Sequence, residues 1–149
     1  MNKQAEWLTA YVEKCMKEGW GGSMEAPNCF GDIVSFRSGT TECTVRAEDD
    51  WPMMVRVMAT AVQDARLSLK LLREINEINS SSRVANVWWN DGSVVVECSL
   101  FAEAVDGSSL SSACWHVSQV ANDIGIGFAA MYDGSTPYAP YTSDSEEAA

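Results

Sequence analysis

His116 is the only histidine in the chain, so any catalytic group that relies on a histidine base must be built around it. The nearest nucleophile is Cys114, two residues earlier, and the two together would be the machinery of a small hydrolase. Residues two positions apart on a helix do not face each other, which disfavours that hypothesis. We expect His116 to lie at the boundary of the core and to have no catalytic role.

Other patterns that carry chemistry are missing from the sequence. The five cysteines lie far apart without a Cys-x-x-Cys motif, whereas zinc sites need clustered cysteine and histidine ligands. The adjacent carboxylates Asp49 and Asp50 fall in a predicted turn, and Glu146 and Glu147 fall in the carboxyl-terminal tail, so neither pair is expected to span a cleft. No glycine-rich phosphate-binding motif occurs. We therefore predict no catalytic residue, no metal and no cofactor.

The charge of the chain is strongly negative and unevenly distributed. The formal net charge is -11, all ten Lys and Arg lie in residues 1–83, and residues 84–149 hold nine acids and no Lys or Arg. This second part would repel nucleic acid and anionic membranes and would attract a basic protein. An acidic inhibitor or immunity-type protein that binds a basic partner is one alternative, and acidity that serves only solubility is another.

Hydrophobic periodicity divides the chain into eight elements. In chain order these are a helix at 2–19, strands at 33–37, 41–47 and 53–61, a helix at 64–79, a two-stranded hairpin at 83–105 and a helix at 108–124. The order α-β-β-β-α-β-β-α favours an α+β fold in which helices pack on an antiparallel sheet. Residues 1–132 should form one domain, and the acidic, Pro- and Tyr-containing residues 133–149 should be a disordered tail.

Local signals predict where the second and third helices begin and end. Asp64 is expected to cap the amino terminus of the second helix, and Ser108 or Ser109 that of the third. Gly125 and Gly127 are expected to end the third helix, because glycine adopts the left-handed backbone that helix ends need.

Three large apolar residues are assigned by their position relative to the apolar stripe of their helix. Trp7 falls on the stripe of the first helix and is expected in the core. Leu69 and Trp115 fall off the stripes of the second and third helices. We therefore predict that Leu69 and Trp115 are contacts of a homodimer, in which the same patch is buried twice.

The clearest feature is the dipeptide Asp91-Gly92 between two apolar runs, which is typical of a two-residue hairpin turn. Such a turn sets the register, so Trp89 should face Val94. Because side chains alternate along a strand, one face of the hairpin then collects the predicted core residues. These are Ala85, Val87, Trp89, Val94, Val96, Cys98 and Leu100.

The opposite face of the hairpin mixes apolar and acidic side chains. It carries Trp88, Val95 and Phe101 interleaved with polar residues that include Glu97. An exposed tryptophan among small polar residues is typical of a contact surface. We predict that Trp88, Val95, Glu97 and Phe101 bind a protein or peptide segment that is both hydrophobic and basic.

Residues 71–79, with the sequence Leu-Leu-Arg-Glu-Ile-Asn-Glu-Ile-Asn, precede apolar runs at 84–90 and 94–100 around the Asp91-Gly92 turn. This leucine-rich helix, short hairpin and closing helix resemble the YbjN-like domains, the type III secretion chaperone fold and the related peptide-binding chaperone-like domains of actinobacteria. The resemblance implies no catalysis, a helix-and-sheet surface that holds segments of other proteins, and frequent homodimers. It transfers no functional residue. We therefore predict a non-catalytic protein- or peptide-binding module in the bacterial cytoplasm, with no membrane or nucleic-acid partner.

Overall fold

A computed structural model describes residues 3–18 and 28–140. The helices are α1 (Lys3–Glu18), α2 (Leu69–Ser81) and α3 (Gly107–Met131). The strands are β1 (Asn28–Phe30), β2 (Ile33–Ser38), β3 (Thr41–Glu48), β4 (Met54–Val62), β5 (Asn86–Asn90) and β6 (Ser93–Phe101), and one turn of 3-10 helix (Ala102–Ala104) follows β6. The predicted α+β class is confirmed, and the element order agrees with prediction apart from the additional short strand β1.

The strands form a single antiparallel sheet in the order β1-β2-β3-β4-β6-β5. Strand β6 therefore lies between β4 and β5, and β5 is an edge strand. Within the hairpin, Trp89 faces Val94 and Val87 faces Val96, as the Asp91-Gly92 turn predicts. The register places the two predicted sets of hairpin side chains on opposite faces of the sheet.

The core fills one face of the sheet, which we call the inner face. Along β3, for example, Cys43, Val45 and Ala47 are buried while the residues between them are half-buried or exposed. Helices α1 and α3 pack on this face, and α2 packs beside β5. The buried helix residues recur at helical spacing, because each helix turns only one stripe toward the sheet. From α1 these are Ala5, Leu8, Val12 and Met16; from α2, Leu71 and Ile75.

The position of Trp7 differs from prediction. Its side chain is 66% exposed and stacks in parallel on Tyr11, with ring centroids 5.4 Å apart. The smaller residues Ala5, Leu8 and Val12 face the sheet in its place. Periodicity locates the stripe of a helix only to within about one residue, so a large aromatic at the edge of the stripe is easily assigned to the wrong side.

The predicted start of α2 is also wrong. Asp64 does not cap the helix, because it has a φ of 56° and lies in the connection after β4. Ser68 is the cap, since its hydroxyl oxygen accepts a hydrogen bond of 3.1 Å from the Leu71 amide. Leu69, the first residue of the helix, is thus in the first turn.

Helix α3 is longer than predicted at both ends. It begins after Asp106, whose side chain accepts a 2.7 Å bond from the Ser109 amide while the Asp106 amide donates to the Ser109 hydroxyl. The bonds from Ser109 hold the pKa of Asp106 below its usual value. Gly125 and Gly127 do not end the helix, which continues to Met131. Gly125 instead lets α3 approach the sheet, because a Cβ there would lie 3.1 Å from the Ala61 carbonyl oxygen of β4.

Residues 133–140, the first part of the predicted tail, contact the domain. Ser135 forms a two-bond bridge with Gln63, at 2.7 and 2.9 Å. Further along, the Arg37 guanidinium lies 4.6 Å from the centroid of the Tyr138 ring. Polar contacts also hold this segment, since Arg37 Nη2 donates to the Ala139 carbonyl at 2.9 Å and Arg66 Nη2 lies 3.4 Å from Asp133 Oδ2, and hydropathy patterns do not reveal such interactions. The last nine residues of the chain lie outside the described residues.

None of the helices in the described part of the chain is long and apolar enough to cross a bilayer.

Candidate functional site

The second face of the sheet, which we call the outer face, carries no helix from the described part of the chain. Its side chains are half-buried or exposed, with the exception of Val95. From β2 to β5 they are Ile33, Ser35, Arg37, Glu42, Thr44, Arg46, Glu48, Met54, Arg56, Met58, Thr60, Ser93, Val95, Glu97, Ser99, Phe101, Asn86, Trp88 and Asn90. The four residues predicted to bind a partner, Trp88, Val95, Glu97 and Phe101, all lie here, and we call them the outer strip.

Two members of the outer strip are direct neighbours. Trp88 on β5 faces Val95 on β6, and Val95 in turn faces Thr60 on β4. Val95 is only 5% exposed although no described helix covers it, since its cross-strand neighbours shield it. Trp88 is half-buried, and its indole Nε1 is buried without a hydrogen-bond acceptor among the described residues.

Phe101 lies at the other end of the strip. It is 55% exposed and faces Met54 at the end of β6. Six residues separate it from Val95, which corresponds to roughly 20 Å along an extended strand. The structure therefore places Trp88 and Val95 together and Phe101 apart, at opposite ends of an elongated surface.

The charged residues between these ends are partly neutralised. Arg56 Nε lies 2.9 Å from Glu48 Oε1 and 3.7 Å from Glu97 Oε2, so one cation serves two carboxylates. Glu97 Oε2 is buried and has no hydrogen-bond donor among the described residues. In the described part of the chain, buried polar atoms without a hydrogen bond on this face are Trp88 Nε1 and the ion-paired Arg56 Nε and Glu97 Oε2. Leaving such a group unsatisfied costs about 1–3 kcal/mol.

Cys114 and His116 lie in different surroundings. Cys114 is buried, with its Sγ 4.0 Å from Met16 Sδ, and burial raises the pKa of its thiol to about 12. His116 is exposed, and its ring is nearly perpendicular to that of Trp115, with centroids 5.0 Å apart. A buried neutral thiol is a poor nucleophile, and the imidazole lies on the solvent side of the helix. Among residues 3–18 and 28–140, no group of His, Cys, Asp or Glu side chains is placed to hold a metal ion.

The two predicted dimer contacts are both exposed. Leu69 in the first turn of α2 is 64% exposed, and Leu72 beside it is also exposed. Trp115 on α3 is 59% exposed. Because Leu69 and Trp115 lie on different helices, they are two separate exposed apolar positions.

Asn79 has a role that the sequence analysis missed. Its amide Nδ2 donates to the Val87 carbonyl at 2.9 Å, and its Oδ1 accepts from the Val87 amide at 2.8 Å. The Ser82 hydroxyl makes a similar pair of bonds with Ala85, at 2.6 and 3.3 Å. These side chains occupy the outward-facing backbone groups of Val87 in the edge strand β5 and of Ala85 just before it. The available signal was that Asn79 ends the Asn-Glu-Ile-Asn run that carries the resemblance.

Comparison with known proteins places this geometry in a family. A family model described as "T3SS (YopN, CesT) and YbjN peptide-binding chaperone 1" matches residues 6–140. Among solved structures, one titled "Crystal Structure of the ExsC-ExsE Complex" superposes with a TM-score of 0.58 at 12% identity, covering 81% of this chain and 96% of that chain. At this identity the likeness shows the fold. No curated protein matches the sequence. The family match spans most of the chain, and the predicted resemblance is confirmed: the chain belongs to the T3SS and YbjN peptide-binding chaperone family.

Proposed function

We propose that this protein is a non-catalytic module of the bacterial cytoplasm that binds a segment of another protein on its outer strip. The family is one of peptide-binding chaperones, which supports binding rather than catalysis. The structure titled for the ExsC-ExsE complex, which shares the fold, was solved with two named proteins together. All five cysteines are free, which suits a reducing compartment.

The observation that carries the proposal is the open outer face. The inner face is covered by α1 and α3, whereas Trp88, Phe101 and the two methionines of β4 on the outer face remain accessible. Aromatic residues and methionine are enriched in protein interfaces, and a partly exposed tryptophan is a frequent hot spot. A bound segment would also supply a hydrogen-bond acceptor for the buried Trp88 Nε1, which has none among the described residues.

The β5 edge of the sheet is a less suitable site than the outer face. Addition of a strand to β5 would need the backbone groups of Ala85 and Val87, which Ser82 and Asn79 already occupy. A partner is therefore expected to lie across the outer face, where side chains make the contacts. The three arginines and three glutamates of the outer face balance in charge, but Glu97 is the only charged member of the outer strip, which supports a partner segment that is basic as well as hydrophobic.

We also propose that the protein forms a homodimer through Leu69 or Trp115. Both side chains expose large apolar surface that a two-fold contact would bury. The patches lie on helices, so a dimer of this kind would leave the outer strip free for a partner.

The test compares two variants in partner capture. Tagged wild-type protein, a Trp88→Ala/Phe101→Ala variant and a Trp7→Ala control are used to isolate partners from the source bacterium, and the captured protein is identified by mass spectrometry and titrated calorimetrically. Trp7 is a suitable control because it is an exposed tryptophan on α1, which packs on the other face. We expect the double variant to weaken binding by about 2 kcal/mol or more and the control to bind normally.

Two results would contradict the proposal. Equal affinity of the double variant and the wild type would show that the outer strip is not the site. An association rate that falls steeply with salt, together with inhibition of a basic partner's activity, would favour the acidic inhibitor instead.

A further inference from the structure

A second concave surface lies between α2 and α3, away from the outer face. It is a groove of about 400 Å³, within the range of ligand-binding pockets. Its apolar residues are Ile78 from α2 and Ile124, Phe128 and Met131 from α3. Phe128 is buried, Ile78 and Ile124 are half-buried, and Met131 is exposed, so the apolar floor is open to solvent along one side.

The rim of this groove is acidic. It carries Glu74 and Glu77 from α2 and Asp123 from α3. Glu74 is held in place by the buried Tyr132 hydroxyl, which donates to its Oε2. None of the ion pairs in the described part of the chain involves these three carboxylates. Residues 19–27 and 141–149, which the structure does not describe, contain no Lys or Arg that could neutralise them.

Gly127, which also lines the groove, is not explained by the fold. It lies inside α3, where glycine destabilises a helix relative to alanine. A Cβ at this position would meet no atom within 4 Å, in contrast to Gly125, where packing against β4 requires the glycine. Its φ is not in the left-handed region. The missing side chain instead deepens the groove and lets another chain approach the helix backbone closely.

We infer that the α2–α3 groove is a second docking site, for a partner segment in which Lys or Arg side chains flank large apolar ones. The inference rests on the proposed function, because it assigns a second surface of the same binding module. The apolar floor takes the hydrophobic side chains, the acidic rim pairs with the basic ones, and Gly127 provides the space.

Like charge argues against two other occupants of the groove, the carboxyl-terminal tail of this chain and a second copy of the chain. The tail of this chain, residues 141–149, carries three acids and no base, so the rim repels it. A second copy placed groove to groove would bring three carboxylates against three. Like charges placed across an interface oppose association, which leaves a basic segment of a different protein as the fitting partner.

The experiment uses the full chain and a synthetic amphipathic peptide of leucine and lysine, with a leucine–glutamate peptide as the matched probe. Gly127→Phe fills the groove, and Gly127→Ala is the matched control. Glu77→Gln/Asp123→Asn removes two rim charges. We expect Gly127→Phe to weaken lysine-peptide binding at least tenfold and Gly127→Ala to weaken it by less, about two- to fourfold, because one methyl group takes up only part of the space. The rim variant should weaken it roughly three- to tenfold and flatten its salt dependence.

Nuclear magnetic resonance locates the peptide. Shifts of the Gly127 amide and the Met131 methyl support the groove. Shifts confined to the Trp88 indole, or unchanged affinity of Gly127→Phe, overturn the groove and leave the proposed function standing. Equal binding of the leucine–glutamate peptide overturns the charge argument. If Gly127→Phe converts a dimer into a monomer in sedimentation, the occupant is a second copy and the inference is wrong. If Gly127→Phe does not fold, the inference is tested with the Glu77→Gln/Asp123→Asn variant, and unchanged lysine-peptide affinity of that variant overturns it. The proposed function is tested separately. It fails if the Trp88→Ala/Phe101→Ala variant binds the natural partner as tightly as the wild type does.

Discussion

The side chain of Asn79 pairs with the backbone of Val87 as another strand would. One amide group provides both a donor and an acceptor, at 2.9 and 2.8 Å, to the outward-facing groups of the edge strand. Exposed strand edges are sites of unwanted association, and proteins commonly block them. The end of α2 thereby blocks the β5 edge of the sheet at Val87.

Replacing Asn79 tests this relationship. We expect Asn79→Ala to lower the free energy of unfolding by about 1–3 kcal/mol, because it leaves two backbone groups without partners, and to promote self-association through β5. Urea unfolding and sedimentation velocity measure the two effects. Asn76→Ala is the control, since Asn76 is an exposed residue of the same helix. A stable, monodisperse Asn79→Ala protein would contradict the prediction.

The adjacent tryptophans of β5 should differ in what they contribute to stability. Trp89 faces the core, and its Nε1 donates to the Ala65 carbonyl at 3.0 Å. We expect Trp89→Ala to destabilise the protein by about 3–5 kcal/mol, as the loss of a large core aromatic does. Trp88→Ala should cost about 1 kcal/mol or less, because the indole Nε1 that it removes has no partner. Urea unfolding of both variants compares them directly, and the reverse order would show that the faces are assigned wrongly.

Two truncations test the contacts of residues 133–140. Ending the chain after Tyr132 removes the Gln63–Ser135 bridge and the Arg37–Tyr138 contact, so we expect a loss of about 2–3 kcal/mol on the basis of about 1 kcal/mol per hydrogen bond. Ending it after Pro140 removes none of the described contacts and should leave the melting temperature nearly unchanged. Differential scanning calorimetry separates the two cases. Equal melting temperatures would support the prediction from sequence that the disordered tail begins at 133.

The buried thiols predict a loss of stability at alkaline pH. Burial raises the pKa of Cys43 to about 11 and that of Cys114 to about 12, from an ordinary value of 9.0. The folded state therefore favours the protonated thiols, and their contribution is complete below pH 9 and is lost as pH rises from about 9 to 12. Thermal unfolding between pH 7 and about pH 11 should show the decline, and Cys114→Ala should make it shallower. A pH-independent melting temperature would contradict the assignment.

What the sequence could predict depends on how local the determining interaction is. The hairpin register was predictable because two residues, Asp91 and Gly92, adopt positive φ and set the pairing by themselves. The carboxyl end of α3 was not predictable, because Gly125 serves the packing of the helix against Ala61, a residue distant in sequence.

The same distinction applies to the candidate sites. The alternation of side chains placed Trp88, Val95, Glu97 and Phe101 on one face, but it could not show that α1 and α3 would leave that face open. The α2–α3 groove could not be predicted from the sequence, because its walls come from two helices that meet only in the folded domain.

The position of β6 between β4 and β5 has a consequence for how the chain is made. Until residue 101 has left the ribosome, β4 has no partner on one side, and its full length is an exposed edge. Pairing of β4 with β6 closes a loop that contains all of α2 and β5, which is slower than formation of the local β5–β6 hairpin. The nascent chain therefore passes through a stage in which a long apolar strand can recruit other nascent chains. A protein of a chaperone family would itself be most in need of protection at that moment of its synthesis.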